Sequence, residues 1–258
     1  MRIKTLITVV SAISLISLCG CAKIENVNVD KDKVPVNYEA SYKITTDKFI
    51  YNNDYTVKLE GDELVISSKV DEYWDNNQEG DNYLEGRQIM TTLSKLNGTD
   101  NFGVPNLVEE EFYITADESY YTKFTFEHDH EINAGILKIK KYSANSESGF
   151  SEENHTLQLD KQYFDKDSLP FIIAGFTEKE AVINVSSGNR SSLQAVKFEH
   201  MENESIKTKA GTFDCSVIRL RPNTDFSVNS ARIYVDSKTG IPVKIVHDSS
   251  VMELISIK

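Results

Sequence analysis

From Asn37 to the C-terminus the apolar side chains recur every second residue rather than every third or fourth, and that period commits the chain to strands. Between Tyr120 and His128 the alternation is clean. Tyr120, Thr122, Phe124, Phe126 and His128 fall on one side of an extended segment, and Tyr121, Lys123, Thr125 and Glu127 on the other. Tyr38–Ile44 opens the series, and Tyr55–Glu60 and Glu63–Val70 flank Gly61-Asp62, a hairpin signal where the turn needs positive φ. Gly86–Leu96, Glu111–Thr115, Ile136–Tyr142, His155–Leu159, Ala181–Ser186 and Leu193–His200 are further strand candidates. The C-terminal stretch is the most regular: Glu204–Thr208, Thr212–Arg221, Ala231–Asp236, Ile241–His247 and Val251–Ile257, with Gly240 closing an Asp236–Gly240 connection. One helix is predicted, over Asp167–Phe176, with Asp167 or Ser168 as cap and Pro170 in its first turn. Asp75–Asn82 and Ser143–Asn154 have loop composition. Strand after strand with few crossovers predicts a mainly β (α+β) domain over residues 37–258. Its expected form is a curved antiparallel sheet or half-barrel wrapped on one short helix.

The N-terminus carries an address. Arg2 and Lys4 precede an uncharged apolar stretch from Leu6 to Leu18, long enough for a signal-peptide core and too short to span a bilayer comfortably. It ends in Leu18-Cys19-Gly20-Cys21, which resembles the lipobox of bacterial lipoproteins. That resemblance implies cleavage between Gly20 and Cys21, removal of residues 1–20, and acylation of Cys21 by a diacylglyceryl group and often by a further acyl chain at the new amino terminus. Two or three chains hold a protein durably where one does not, because each buried methylene adds about 0.8 kcal/mol. Ala22 in place of Asp resembles the outer-membrane sorting pattern of cells with two membranes; with one membrane the protein would face outward from it. Residues 21–36 are polar and short of large apolar side chains, and are expected to form a lipidated tether.

With Cys19 in the signal and Cys21 lipidated, only Cys215 remains, so no intrachain disulfide is available and the fold stands on its core. Cys215 opens the apolar run of Val217, Ile218 and Leu220 and reads as a small buried hydrophobe. The net charge is −12, and removing Arg2 and Lys4 makes it more negative still. No nucleic-acid partner is expected of such a surface, since clustered Lys and Arg supply most of that affinity.

In the C-terminal third, the run Glu204-Ser-Ile-Lys-Thr-Lys-Ala-Gly-Thr-Phe-Asp-Cys215, the strands Val217–Arg221 and Ala231–Asp236, and Gly240-Ile-Pro-Val-Lys-Ile245 resemble a family of secreted bacterial proteins catalogued as domain of unknown function 3108. Phe164–Leu169 is similar to that family's helix start, and Val36–Tyr42 to its opening strand. The resemblance implies a curved antiparallel sheet wrapped on a helix, similar to the half-barrel of periplasmic lipoprotein carriers. It implies no activity, cofactor or catalytic residue.

Other constellations point weakly to chemistry. His128 and His130 share one face of a strand, but two imidazoles are half of a transition-metal site, and Asp129 points the other way. Asp75, Asn77, Glu79 and Gly80 match the start of an EF-hand loop; the bidentate Glu is then due at position 86, which is glycine. Tyr73-Trp74 and Tyr83 could form an aromatic platform for a sugar. Gly98–Gly103 has P-loop glycine spacing but continues Val104-Pro105 where Lys-Ser/Thr is required. The expectation is a lipid-anchored, non-enzymatic envelope protein with no cofactor, anchored to the membrane through Cys21 and holding a lipid or a partner's apolar segment in the curved sheet. Phe124, Phe126, Phe171, Ile172 and Phe176 are the candidate lining. The alternatives are an assembly lipoprotein that docks other envelope proteins and a metal-assisted hydrolase.

Overall fold

The alternating segments assemble, in a computed structural model of the chain, into one curved sheet that coils on itself without closing. The structure describes residues 23–46, 50–75, 85–99, 101–115, 120–129, 131–142, 149–159, 161–186, 192–222, 230–247 and 250–258. In chain order the strands are β1 (Tyr38–Thr46), β2 (Ile50–Glu60), β3 (Glu63–Asp75), β4 (Glu85–Asn97), β5 (Pro105–Thr115), β6 (Tyr120–Asp129), β7 (Ala134–Tyr142) and β8 (Phe150–Gln158). They continue as β9 (Tyr163–Phe164), β10 (Glu180–Ser186), β11 (Leu193–His200), β12 (Glu204–Thr208), β13 (Gly211–Pro222), β14 (Ala231–Asp236), β15 (Pro242–His247) and β16 (Ser250–Ile257).

The sheet order is β8-β7-β6-β5-β4-β3-β2-β1-β16-β15-β14-β13-β11-β10-β9, with β12 paired to β13. Two antiparallel meanders are thus stitched where the first strand meets the last, Tyr42 opposite Leu254 and Ile44 opposite Met252. Among the described strands, only β9 against β10 is parallel. The two sheet ends approach through side chains instead of a hydrogen-bonded ladder. Tyr163 of β9 sets its ring edge-on to Phe126 of β6 at 5.7 Å and donates its hydroxyl to the Pro105 carbonyl at 3.0 Å. Val104, Val108, Leu137, Ile139 and Leu159 complete this seam cluster.

A helical turn, α1 (Leu169–Ile172), followed by a 3-10 turn over Ile173–Gly175, lies inside the curve. It is shorter than the predicted helix and capped differently. Ser168 occupies the cap position without a capping side-chain bond. Asp165 instead accepts from the backbone N–H groups of Asp167 at 3.0 Å and Ser168 at 3.3 Å, so the donors at the helix entrance are already taken. Phe171 projects from α1 between the rings of Tyr42 and Tyr55, at 6.2 and 4.7 Å. Tyr42 is fully buried and donates its hydroxyl to the Pro242 carbonyl at 2.9 Å; burial holds its pKa far above the ordinary value, so it stays a donor.

Two expectations change. Residues 23–36 are not a free tether over their whole length: Glu25 N–H donates to Val182 O at 2.8 Å, Val27 N–H to Gln162 Oε1 at 2.8 Å and Asp30 N–H to Gly175 O at 2.7 Å. Val27 and Val34 are buried in the main core, and the segment forms a strap across one end of the sheet. The part of the Ser143–Asn154 loop from Phe150 onward is strand, polar because β8 is an outermost strand exposed along most of its length. Its Glu152 and Glu153, facing Lys140 and Lys141 of β7, guard that edge against pairing with another chain.

The strap defines two ends. At the strap end lie the tight turns at Gly61-Asp62, Glu131–Asn133, Lys209-Ala210 and Ser237–Gly240. Gly61 and Gly240 have φ of 60° and 74°, as the turn residues require, and a Cβ on Gly240 would sit 2.6 Å from the Lys33 carbonyl. The connections at the other, mouth end (47–49, 76–84, 116–119, 143–148, 187–191, 223–229 and 248–249) fall outside the described residues.

Candidate functional site

Among the described residues, the concave face is filled at the strap end and leaves a groove toward the mouth. On β10, β11, β13, β14 and β15 the inward positions run from a packed layer (Ile183, Phe198, Ile218, Val235, Val243) to a second layer nearer the strand ends (Val185, Val196, Leu220, Ile233, Ile245). The helical turns and Phe176 seal the first layer. The second lines a groove of about 900 Å³, together with Pro170, Ala195, Pro222 and Ala231. That volume lies in the range of small-molecule sites, and the lining is mainly apolar, as such sites are.

The polar margin is Lys166, Ser186, Gln194, Arg221 and His247, and no Asp or Glu among the described residues lines the groove. Lys166 is held by both carboxylate oxygens of Asp167 at 2.8 Å. Ser186 donates to Asp165 Oδ1 at 3.0 Å and accepts from the Lys166 N–H at 3.0 Å, tying the approach to α1 onto the end of β10. Arg221 reaches Glu199 at 3.9 Å, beside the ion pair of Arg219 and Glu199. Lys166 and Arg221 each face a carboxylate, so the apolar floor is bordered by cations that are partly charge-paired.

The sequence-predicted residues do not form this site. Phe171, Ile172 and Phe176 are core, while Phe126 belongs to the seam cluster with Phe124 packed against it; the five line no common pocket. His128 lies against Tyr163, ring centroids 6.0 Å apart, and His130 falls outside the described residues. Among the described residues, no three His, Cys, Asp or Glu side chains converge as a metal site would need. Residues 76–84, with most of the EF-hand-like loop and Tyr83, and Gly20 and Cys21 also lie outside the described residues. A smaller recess of about 410 Å³ sits under the strap, rimmed by Asn26, Asn28, Asn101, Asn133 and Gln162; Asn133 and Gln162 spend their amides on backbone groups.

Cys215 is the one free thiol among the described residues and is buried; burial, with Asp236 and other nearby carboxylates, pushes it up to about 11. A maleimide or disulfide reagent at pH 8 should therefore leave Cys215 unmodified in the native protein and label it stoichiometrically in denaturant, as read by intact mass. Fast labelling of the native chain would show that the β12–β13 region opens.

The fold and site together define a barrel-like sheet coiled round a short helix, with an apolar groove among the described residues at one end. No family model matches the chain, and no curated protein matches it either. Among solved structures, a β-barrel-like protein of domain of unknown function 1849 from Brucella abortus is similar over 90% of this chain and 98% of its own, at 11% identity and a TM-score of 0.55. That likeness shows the fold. A provisionally named lipoprotein from Parabacteroides distasonis covers 89% of this chain and 99% of its own at 13% identity, with a TM-score of 0.29. A provisionally named exported protein with a YmcC-like fold from Bacteroides fragilis covers 86% and 96% at 10% identity, with a TM-score of 0.28.

Proposed function

We propose that the chain is a lipid-anchored protein of the bacterial envelope that holds an apolar ligand in the mouth groove without covalent chemistry. The observation that carries this is the second inward layer, Val185, Val196, Leu220, Ile233 and Ile245: five strands leave apolar side chains around a groove of about 900 Å³ that the helix does not fill. A folded protein with a complete core gains nothing from leaving such a concavity open, and apolar surface taken up there contributes about 25 cal/mol per Å². The lipobox Leu18–Cys21 supports the address, and the motif resemblance to family 3108 is compatible with it. On this reading the protein sits in the outer membrane facing the periplasm of a cell with two membranes, or on the outer face of a single one.

The test is binding of an environment-sensitive apolar fluorophore to the chain from residue 21 with Cys21→Ser. The unaltered groove should bind it, and Val196→Glu with Leu220→Glu should weaken binding at least about tenfold, since two carboxylates would be stranded on the apolar floor. Both positions are only half-buried, so the double variant should stay folded, with Cys215 still protected. Unchanged binding by a folded double variant would place the fluorophore elsewhere and remove the groove from the function.

A further inference from the structure

We infer that the outer face of β10, β11, β13 and β14 is a docking surface for the anionic headgroups of a phospholipid bilayer. On these strands the side chains that alternate with the inward layers lie on the outer face. Lys197 of β11 stands there directly opposite Arg221 of β13, and Arg219 of β13 directly opposite Arg232 of β14. Like charges directly opposed across a ladder destabilise a sheet, so two such pairs side by side call for an anion. In the two rows that carry these residues the carboxylates are Glu180 and Glu199. Glu180 meets Lys197 at 2.5 Å, and Glu199 is held closely by Arg219 and more loosely by Arg221, at 3.9 Å. Arg232 is exposed and forms no ion pair among the described residues. Four cations against two carboxylates leave the rows positive, in a chain of net charge −12. Three of the chain's six arginines are here, and a guanidinium matches the two oxygens of a phosphate as an ammonium does not.

The acyl anchor reaches this face whichever way its leash turns, a support that rests on the acylation of Cys21. Glu25 N–H is fixed to Val182 O at 2.8 Å. Val182 stands directly opposite Lys197, and Lys197 opposite Arg221, so the two cations lie one and two strand spacings of about 4.8 Å from the fixed point. Cys21 is four residues before Glu25, and an extended chain covers at most about 3.6 Å per residue, so it stays within about 14 Å of that point. An acidic protein segment would also satisfy the arginines, but the bilayer is the anionic surface that the leash holds beside them. Lys and Arg that close to an anionic leaflet are attracted to it.

The test is co-sedimentation of the chain from residue 21 with Cys21→Ser with vesicles of phosphatidylcholine, alone or mixed with phosphatidylglycerol. At about 0.1 M salt the mixed vesicles should be bound at least about tenfold more tightly, and the preference should vanish near about 1 M, where charges are screened within about 3 Å. Arg221→Gln with Arg232→Gln should abolish the preference. Both side chains are exposed and Arg219 keeps Glu199, so the double variant should stay folded, with Cys215 protected. Lys58→Gln with Lys69→Gln, which removes the same charge from exposed positions on β2 and β3, should leave the preference intact. Equal binding to both kinds of vesicle by the unaltered chain, or a preference that survives in the folded arginine variant, would overturn the inference. Binding of a polyglutamate peptide through the same two arginines, with no binding of vesicles, would give the face to an acidic protein partner and overturn it too. With no acyl group present, the result is independent of the state of Cys21 and of what fills the groove.

Discussion

Phe171→Ala will lower the stability of the domain by about 4 kcal/mol, seen as a reduced urea midpoint at unchanged slope. The ring is 1% exposed and wedged between Tyr42 and Tyr55, which themselves meet edge-on at 5.5 Å. Those tyrosines belong to β1 and β2, on the far side of the stitch from β15 and β16. Removing Phe171 therefore empties a position where the helical plug touches the first meander. The cavity cannot collapse easily, because Tyr42 is pinned through its hydroxyl to Pro242 and α1 is pinned through Asp165. Against a usual total of 5–15 kcal/mol, such a loss is severe. The same truncation at Phe124, which is half-buried beside the seam, should be markedly milder; equal effects would mean that the helix is not the plug.

Removing the strap, so that the chain begins at Pro35, will destabilise the domain by about 5 kcal/mol. Two buried valines contribute roughly 1.5–3 kcal/mol each, and the lost backbone bonds to Val182 and Gly175 add about 1 kcal/mol apiece. A tether that merely spans a gap could be shortened without effect, so thermal unfolding of the shortened chain separates the two descriptions. Gly175→Ala supplies a gentler version. A Cβ there would meet Asp30 O at 2.7 Å and Val29 and Val34 at 2.8 and 2.7 Å, so the methyl must lift the strap or move the 3-10 turn beneath it. The variant should unfold at lower temperature and speed hydrogen exchange at the strap amides of Glu25 and Asp30; an unchanged melting curve would mean the strap is only loosely applied.

Where the sequence pattern was strong it mapped onto strands almost residue for residue: Glu204–Thr208, Ala231–Asp236 and Leu193–His200 have the bounds that alternation and turn residues predict. Gly61 and Gly240 were legible because positive φ leaves few alternatives. Phe150–Asn154 was not, since an edge strand wet on both faces carries no apolar period. The strap was hidden for a similar reason: only Val27 and Val34 mark its buried side, and its other anchors are backbone groups common to every residue. Tyr163-Phe164 is too short to alternate at all. The groove was beyond reach of local pattern, because Val185, Val196, Leu220, Ile233 and Ile245 look like the packed layer beside them. Only the position where the helix ends decides which layer is covered. Phe126 and Phe171 are buried in core clusters, where large aromatic rings pack as readily as they would in a ligand site.

The joining of first strand to last has a bearing on how such a chain is made. Tyr42 reaches its hydroxyl acceptor 200 positions downstream, and β1 has no second neighbour until β16 exists. A polypeptide synthesised from its N-terminus delivers those two strands at opposite ends of its synthesis. The early meander must wait with a bare edge, vulnerable to self-association, until the final residues arrive. Loss of β16 alone would leave that vacancy permanent in a chain that is otherwise nearly whole.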